Sequence, residues 1–265
     1  MVKDFSETGY WTLILGGSSG LGLASAKKLA SQGMNICILH RNPRIEMEEI
    51  SSHFAEMKAM GVELASFNID VTASDKREVM LVDLKRIMGP EGRVRCLIHS
   101  VAKGSLKPMV TENTGTLSND DFLITMQNMA FSLYDWTASV FKAGLFASDA
   151  RVISFTSEGS KKAIKNYAAV SAAKAALEAI TRSIALEFAA HGIRANCIQA
   201  GITSTRSLKM IPNSEALIAH SLNRNPFKRL TRPEDVANVV YLLCKDEADW
   251  INGAILPVDG GETLN

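Results

Sequence analysis

The sequence predicts an α/β protein in which a doubly wound parallel sheet of about seven strands is flanked by helices. Three observations lead to this fold class. Short apolar runs alternate with long amphipathic segments along the chain. The apolar runs lack polar alternation, as expected of strands that are covered on both faces of a parallel sheet. A glycine-rich loop joins the first apolar run to the first amphipathic segment. Strict alternation of strand and helix predicts right-handed crossovers, with a ligand site beyond the carboxyl ends of the strands.

The individual elements follow from these patterns in chain order. Each run rich in Ile, Leu and Val is short enough for a strand, and each longer segment repeats its apolar residues at helical spacing. Strands are predicted at about 11–15, 35–40, 63–69, 95–101, 151–156, 193–199 and 254–258. Helices are predicted near 20–32, 44–60, 74–88, 119–144, 167–191, 207–223 and 233–245.

Length and composition indicate a single globular domain over residues 1–265. The hydrophobic content of 46% argues against disorder, and the net charge of +1 gives no field for nucleic acid. The four cysteines are scattered without metal-ligand spacing, and three fall in strand-like runs, which favours reduced thiols. No apolar run reaches the roughly 18 residues of a membrane span, and the N-terminus lacks an apolar signal core. We therefore expect a cytoplasmic protein with no metal, membrane or nucleic-acid partner.

The loop after the first strand predicts a dinucleotide site. It reads Gly-Gly-Ser-Ser-Gly-Leu-Gly over 16–22 and runs into the first helix. Glycines let the backbone approach a pyrophosphate, and the helix N-terminus offers N–H groups and a positive dipole end. A glycine cluster can also form an ordinary tight turn, but its place between strand and helix favours a cofactor. The loop residues assigned to the cofactor are Gly16, Ser18, Ser19, Gly20 and Leu21.

The end of the second strand bears on the choice of nicotinamide cofactor. A carboxylate here would bind the adenosine ribose diol and repel a 2′-phosphate. The chain has His40 and Arg41 instead, with Arg44 nearby. Because a guanidinium holds a phosphate by paired hydrogen bonds, we expect NADPH rather than NADH. The alternative is that Arg41 is a solvated loop residue.

Tyr167 and Lys174 stand seven residues apart on the predicted helix 167–191. Seven residues advance about 700°, which places both side chains on one face about 10 Å apart, against about 6 Å for a four-residue spacing. Carbonyl reduction needs an acid beside the carbon that receives hydride, whereas reduction of a 2-enoyl thioester develops charge on an oxygen several bonds away. A tyrosine displaced by about 4.5 Å suits the second reaction. Tyr167 would stabilise the enolate and Lys174 would hold the nicotinamide ribose. The alternative is a packing aromatic and a solvated lysine.

These motifs resemble the short-chain dehydrogenase/reductase family over nearly the whole chain. The resemblance rests on the glycine loop, Asp70-Val71, Asn196 and the closing Val-Asp-Gly-Gly of 258–261. The Tyr-x6-Lys spacing and the run His-Ser-Val-Ala at 99–102, in place of the family's usual Asn-Asn-Ala-Gly, are similar to its enoyl-(acyl-carrier-protein) reductase branch. The unbroken glycine loop and Arg41 resemble the NADPH-using form of that branch.

The resemblance implies a Rossmann-like fold and further site residues. A small helical lid over about 203–224 would cover an acyl chain, although plain helix packing also explains its apolar positions. The further cofactor residues implied are Asp70, Val71, Ser100, Val101, Ala102, Thr203 and Thr205. The substrate residues implied, beside Tyr167, are Gly104, Leu208, Met210, Ile211 and Leu217.

Three positions depart from the family pattern. Leu15 stands where the family usually has threonine before the first glycine. Ser157 lies ten residues before Tyr167, where enoyl reductases often carry a second aromatic and ordinary members carry a catalytic serine. We expect Ser157 either to donate to the substrate carbonyl, as a third catalytic residue, or simply to end the fifth strand. Asn128 is either the family's helix asparagine or an ordinary helix residue.

The partners follow from charge and from the resemblance. Residues 201–232 contain six Lys and Arg against one acid, which suits an acidic acyl carrier protein, although a charge run is more often a solvated face. The resemblance implies a homotetramer built on helices 119–144 and 167–191. The leading hypothesis is NADPH-dependent reduction of the 2,3-double bond of an enoyl thioester on acyl carrier protein, as in fatty-acid synthesis. The alternatives are a carbonyl reductase that uses Tyr167 with Ser157, and a non-catalytic NADP-binding sensor.

Overall fold

Seven parallel strands form one sheet in the order β3-β2-β1-β4-β5-β6-β7. The computed structural model describes residues 4–112, 115–211 and 214–264. The order reverses between β1 and β4, and such a switch point is where open α/β sheets form their ligand crevice. The predicted doubly wound parallel sheet is confirmed. The strands are β1 Tyr10–Leu15, β2 Asn35–His40, β3 Leu64–Asn68, β4 Arg93–His99, β5 Phe146–Thr156, β6 Ile193–Ala200 and β7 Ile255–Val258.

Helices cover both faces of the sheet. Apolar side chains of α1, α2 and α9 share one core, and those of α3, α5 and α6 share the other. The short α7 and the longer α8 lie in the predicted lid region. The helices are α1 Gly20–Ser31, α2 Met47–Lys58, α3 Ser74–Met88, α4 Asn119–Met126, α5 Ser132–Lys142, α6 Ala168–Glu187, α7 Arg206–Lys209, α8 Ser214–Arg224 and α9 Pro233–Cys244.

Successive residues of a central strand contribute to opposite cores. In β1, Leu13 and Leu15 belong to the core under α3, α5 and α6, whereas Ile14 belongs to the core under α1, α2 and α9. All three side chains are fully buried. Burial of each contributes about 1.5–3 kcal/mol, so both strand faces must be apolar. This is why the strands appear in the sequence as continuous apolar runs.

The predicted helix 119–144 is interrupted by a π-helical turn, Gln127–Phe131, between α4 and α5. Polar side chains spaced four residues apart bond back to the helix carbonyls here. Asn128 Nδ2 donates to Ile124 O at 2.8 Å, and Ser132 Oγ donates to Asn128 O at 2.7 Å. Such bonds compete with the regular backbone ladder and distort helices. The apolar periodicity of the segment did not reveal this turn.

No helix among the described residues has the length and apolar character required to span a membrane. All four cysteines are buried free thiols. Within the same described ranges, no three His, Cys, Asp or Glu side chains come together in a group suited to a metal ion.

Candidate active site

A cavity of about 560 Å³ lies at the carboxyl ends of the central strands. The registers pair Leu15 with His99 and His99 with Ser154, so the ends of β1, β4 and β5 lie side by side. The loops that follow these strands therefore meet at one edge of the sheet. Most of the predicted site residues line this cavity: Gly16, Ser19, Gly20, Leu21, Ser100, Val101, Ala102, Gly104, Ser157, Tyr167, Lys174, Thr203, Thr205, Leu208, Met210, Ile211 and Leu217.

The glycine loop has the shape of a phosphate cradle. Gly16 has a φ of +85°, and a Cβ there would lie 2.5 Å from the carbonyl oxygen of Ser100. A Cβ on Gly22 would lie 2.3 Å from the carbonyl oxygen of Gly16. The side chain of Ser19 does not cap α1, and the first turn carries no acidic residue. The N-terminal amides of α1 and its dipole therefore suit the pyrophosphate of a dinucleotide.

Four residues assigned to the cofactor do not line the cavity and lie in the segments after β1, β2 and β3. Ser18 Oγ donates to Asn42 Oδ1 at 2.9 Å. Arg41 and Asp70 form an ion pair with each other, and the Arg41 side chain is 62% exposed. Val71 is buried in the core, where its carbonyl accepts from the indole of Trp136 at 2.8 Å. The guanidinium expected to read a 2′-phosphate is thus accessible from solvent.

Tyr167 is the N-cap of α6 rather than its first helical residue. Its carbonyl accepts from the Ser171 amide at 2.8 Å, which is the first hydrogen bond of the helix. The ring lies against Gly159, where an added Cβ would come within 2.7 Å of Tyr167 Cε1. Burial raises the pKa of the phenol, and the neighbouring Ser157 hydroxyl opposes that shift. At neutral pH Tyr167 is therefore protonated and able to donate a hydrogen bond.

Ser157 follows β5 directly and lines the cavity. Its Oγ is buried and has no hydrogen-bond partner of standard geometry among the described residues. It is the N-cap of a 3-10 turn but makes no side-chain cap. The hydroxyl lies close enough to the Tyr167 phenol to lower its pKa, and the role of Ser157 as a donor to a bound oxygen or as a strand end stays a prediction.

The side chain of Lys174, in α6, is buried. Its ammonium donates to the carbonyl oxygen of Phe155 at 2.7 Å, and burial lowers its pKa to about 8. Val170, four residues before Lys174, is buried in an apolar cluster with Met129 and Ala173. The position that carries the acid in most enzymes of this build therefore has no polar group.

His99 precedes the loop expected beside the nicotinamide ribose. Its Nε2 lies 2.8 Å from Ser132 Oγ. Since Ser132 donates to the carbonyl of Asn128, Nε2 must carry the imidazole proton. Burial, with a smaller effect of the Lys174 charge, lowers the pKa of His99 to about 3. His99 is therefore neutral. The Asn128 side-chain amide donates to a carbonyl of its own helix and is an ordinary helix group.

Sequence reasoning missed a polar group on the cavity wall. Glu158, Arg224 and Glu262 line the cavity together with Gly159. Glu158 is adjacent to Ser157 in the chain, which was the only available signal. Arg224 and Glu262 come from distant segments, so no local pattern pointed to them.

Ion pairs neutralise three of the six basic residues of 201–232. Arg206 contacts Glu46 at 2.7 Å, Arg224 contacts Glu158 at 2.9 Å, and Arg229 contacts Asp235 at 2.6 Å. All three carboxylates lie outside 201–232. The lid region therefore offers less free positive charge to an acidic partner than the sequence alone indicated.

Comparison with known families decides the membership of the chain. The family model described as Enoyl-(Acyl carrier protein) reductase matches residues 16–263. The chain is a short-chain dehydrogenase/reductase. As a member of this family, the protein is an NAD(P)-dependent oxidoreductase.

Relatives in the family carry several different reductase names. A tropinone reductase homolog of Arabidopsis thaliana is 26% identical over 263 residues, which cover 99% of this chain and 96% of the relative. A Bacillus subtilis (strain 168) protein described as a probable 2,4-dienoyl-CoA reductase is 29% identical over 272 residues, with 96% of each chain covered. The names of these relatives differ, so they do not identify one substrate for this chain.

A solved structure of the family has the same fold. The enoyl-acyl carrier protein reductase of Bacillus cereus with NADP+ and indole naphthyridinone superposes with a TM-score of 0.87 at 24% identity, covering 100% of this chain and 99% of that one. The enoyl-(acyl-carrier-protein) reductase (NADH) of Aquifex aeolicus gives a TM-score of 0.82 at 24% identity over 97% of both chains.

Proposed function

We propose that the protein reduces the 2,3-double bond of 2-enoyl thioesters with NADPH. One observation carries this proposal. The partly buried, protonated Tyr167 precedes α6, seven residues before Lys174, while the position four residues before Lys174 is the apolar Val170. An acid displaced by three helical residues, about 4.5 Å, suits an enolate oxygen remote from the carbon that accepts hydride.

Each side chain then has a defined task. Tyr167 donates a hydrogen bond to the thioester oxygen as negative charge develops on it, which is the oxyanion stabilisation that usually dominates catalysis. Lys174 would hold the ribose of the nicotinamide, and the dinucleotide would supply the hydride for the β-carbon. Leu208, Met210 and Ile211 line the cavity on the lid side and suit an acyl chain.

The preference for NADPH rests on Arg41. An exposed ion pair such as Arg41 with Asp70 contributes only about 0–1 kcal/mol, so a 2′-phosphate can replace the carboxylate with little loss. We expect Arg41→Gln to lower kcat/KM for NADPH about tenfold or more and to leave kcat/KM for NADH nearly unchanged. Arg86→Gln, on an exposed pair with Asp83, is the matched control. A wild-type protein that prefers NADH would overturn this part of the proposal.

A second candidate is a carbonyl reductase in which Tyr167 acts with Ser157. The buried Ser157 hydroxyl, which has no partner of standard geometry within the part of the chain that the structure describes, favours it, because ordinary family members use a serine at this position to bind a carbonyl oxygen. The tropinone reductase homologs among the relatives agree in name with this alternative.

A paired assay separates the two reactions. Crotonyl and acetoacetyl thioesters of the same carrier are offered with NADPH, and the loss of NADPH absorbance is followed. We expect the crotonyl thioester to give the higher kcat/KM, by about a hundredfold or more. The reverse order supports the carbonyl reductase, and tight NADPH binding without turnover of either thioester supports a non-catalytic sensor.

We infer an acyl carrier protein as the bearer of the thioester. Lys209 on the lid and Lys228 after α8, both exposed, are candidates for a contact with an acidic surface. The KM of the carrier-bound enoyl substrate should rise with salt more steeply than that of the coenzyme A thioester. Equal KM values with equal salt dependence would argue against the carrier.

A further inference from the structure

Segments that are distant in sequence meet at the guanidinium of Arg224, at the end of α8. Nη1 and Nη2 of Arg224 donate to the two carboxylate oxygens of Glu158, each at 2.9 Å. Nη2 also donates to the carbonyl oxygen of Glu262 at 3.0 Å. The Glu262 carboxylate in turn accepts from the Ile202 amide at 3.2 Å. A polar chain thus joins the loop after β5, the lid helix α8, the C-terminal turn and the loop after β6.

One end of this chain of hydrogen bonds, Glu158, lies next to the proposed oxyanion donors Ser157 and Tyr167. Glu158 stands between Ser157, with its buried hydroxyl, and Gly159, which packs against the ring of Tyr167. A movement of Glu158 therefore moves both neighbours. All of these residues line the cavity. The fork of Arg224 consequently holds the backbone segment on which the two hydroxyls depend.

We propose that Arg224 is a positioning residue, which locks α8 onto the loop 157–160 and thereby fixes Ser157 and Tyr167 against the reacting oxygen. The inference rests on the proposed function only for the identity of that oxygen. The position of these hydroxyls matters because a misplacement of about 1 Å at a reacting group lowers the rate about a hundredfold.

The Arg224–Glu158 pair has the properties that this task requires. Two parallel hydrogen bonds fix the relative orientation of the groups as well as their distance. The side chains are only 13% and 25% exposed, so water and salt screen the pair less than a surface pair. Arg224 holds the pKa of the Glu158 carboxyl below its ordinary value, against an opposing effect of burial. The pair is therefore charged on both sides at neutral pH.

The protein contains a matched control for the Arg224–Glu158 pair. Arg229, five residues further along, makes the same forked contact with Asp235, at 2.6 and 3.1 Å. That pair is more exposed and neither residue lines the cavity. Arg224→Gln, Arg224→Lys, Glu158→Gln and Arg229→Gln are compared with the wild type on whichever thioester the wild type reduces.

We expect Arg224→Gln to lower kcat about ten- to hundredfold while the Kd for NADPH changes less than about twofold. Arg224→Lys keeps the charge without the fork and should lie between this variant and the wild type. Glu158→Gln should match Arg224→Gln, and the double variant should be no slower than either. Arg229→Gln should behave as the wild type. A kcat of Arg224→Gln equal to that of Arg229→Gln would overturn the inference.

A second measurement separates this inference from the proposed reaction and from misfolding. Hydrogen exchange is followed in α8 and in 157–167 of the NADPH-bound protein. Arg224→Lys and Glu158→Gln should both accelerate exchange in both segments, whereas Arg229→Gln should accelerate it in neither. If the wild type reduces no thioester, the proposed function fails but this test still decides the role of Arg224. Faster exchange in α8 alone would show that the lid is not coupled to the loop, and the inference would fail.

Discussion

Tyr167 leaves the helix at the point where its phenol must turn into the cavity. Its backbone has a φ of −118° and a ψ of 6°, outside the helical region, and α6 begins at Ala168. Gly159 leaves room for the ring on one side, and the buried Ser157 hydroxyl lies near the phenol oxygen. The position of the proposed acid therefore depends on a helix boundary together with one glycine.

Removal of the phenol hydroxyl tests this residue directly. We expect Tyr167→Phe to lower kcat about 10²- to 10³-fold, the usual loss when one oxyanion donor is removed. NADPH binding, measured by cofactor fluorescence, should stay within about twofold because the ring and the Lys174 site remain. Tyr134→Phe, on an exposed tyrosine of α5, is the control. Near-normal turnover of Tyr167→Phe would remove the assignment.

Gly159 tests whether the ring position matters as much as the hydroxyl. A Cβ at this residue would lie 2.7 Å from Tyr167 Cε1, so Gly159→Ala must displace the ring. We expect about a tenfold or greater loss in kcat. In the Tyr167→Phe background the same change should have little further effect, since the hydroxyl is already missing. Equal losses in both backgrounds would mean that Gly159 acts elsewhere.

The lowered pKa of Lys174 predicts how cofactor binding depends on pH. Because burial lowers its pKa to about 8, the ammonium is charged below that pH and loses its proton above it. The charged form is the better donor to the ribose hydroxyls, so the Kd for NADPH should be flat below about pH 8 and should rise above it. Lys174→Arg remains charged and should show no such rise. A wild-type Kd that stays constant to about pH 10 would contradict this role.

At the scale of elements, two buried arginines hold the end of α9 against the sheet. Arg95 Nη2 donates to the Cys244 carbonyl at 2.9 Å, and Arg151 Nε donates to the Leu243 carbonyl at 2.9 Å. Both guanidinium groups also pair with Asp149. The last carbonyls of a helix have no partner within the helix, and its C-terminus attracts positive charge. Arg95 and Arg151 therefore anchor the C-terminal end of α9 to the sheet at a place that is remote from the cavity.

We expect Arg151→Met to destabilise the protein by about 1–3 kcal/mol, since it leaves the Leu243 carbonyl without its buried donor, whereas Arg95 and Arg194 still pair with Asp149. The change should appear as a lower Tm in thermal unfolding. The kcat of the folded protein should be unchanged because Arg151 does not line the cavity. Arg86→Met, on an exposed ion pair, should alter the free energy of unfolding by less than about 1 kcal/mol. Equal Tm values for the two variants would refute the anchoring role.

The elements also show how far sequence periodicity reaches. The strand predicted at 11–15 is Tyr10–Leu15, because burial on both faces demands a continuous apolar run. The predicted helix 119–144 breaks at the π-helical turn, which depends on the back-bonding of Asn128 and Ser132 rather than on apolar spacing. A pattern of apolar residues carries no information about such bonds.

At the scale of the whole molecule, one exposed apolar face predicts self-association. Phe131 and Tyr134 are 41% and 53% exposed, and they border a groove with Ile180 and Phe188 between α5 and α6. The homotetramer implied by the family resemblance would bury this face. We expect the wild type to elute as an oligomer in size-exclusion chromatography with light scattering.

A charge placed in this groove tests the interface. Phe131→Arg with Tyr134→Arg should yield a smaller species because an unpaired charge is costly in an apolar contact. Ile45→Arg, on an exposed residue beside α2, should leave the size unchanged. A monomeric wild type would contradict the expected assembly.

The sequence by itself determined the sheet, the glycine loop and the Tyr167–Lys174 pair, because each follows from local spacing along one or two elements. Only the tertiary structure decided that Arg41 pairs with Asp70, that the Ser157 hydroxyl is buried beside Tyr167, and that Arg224 reaches Glu158. These contacts join segments that are far apart in the chain. They depend on which strand ends are neighbours in the folded sheet, and a one-dimensional pattern does not contain that information.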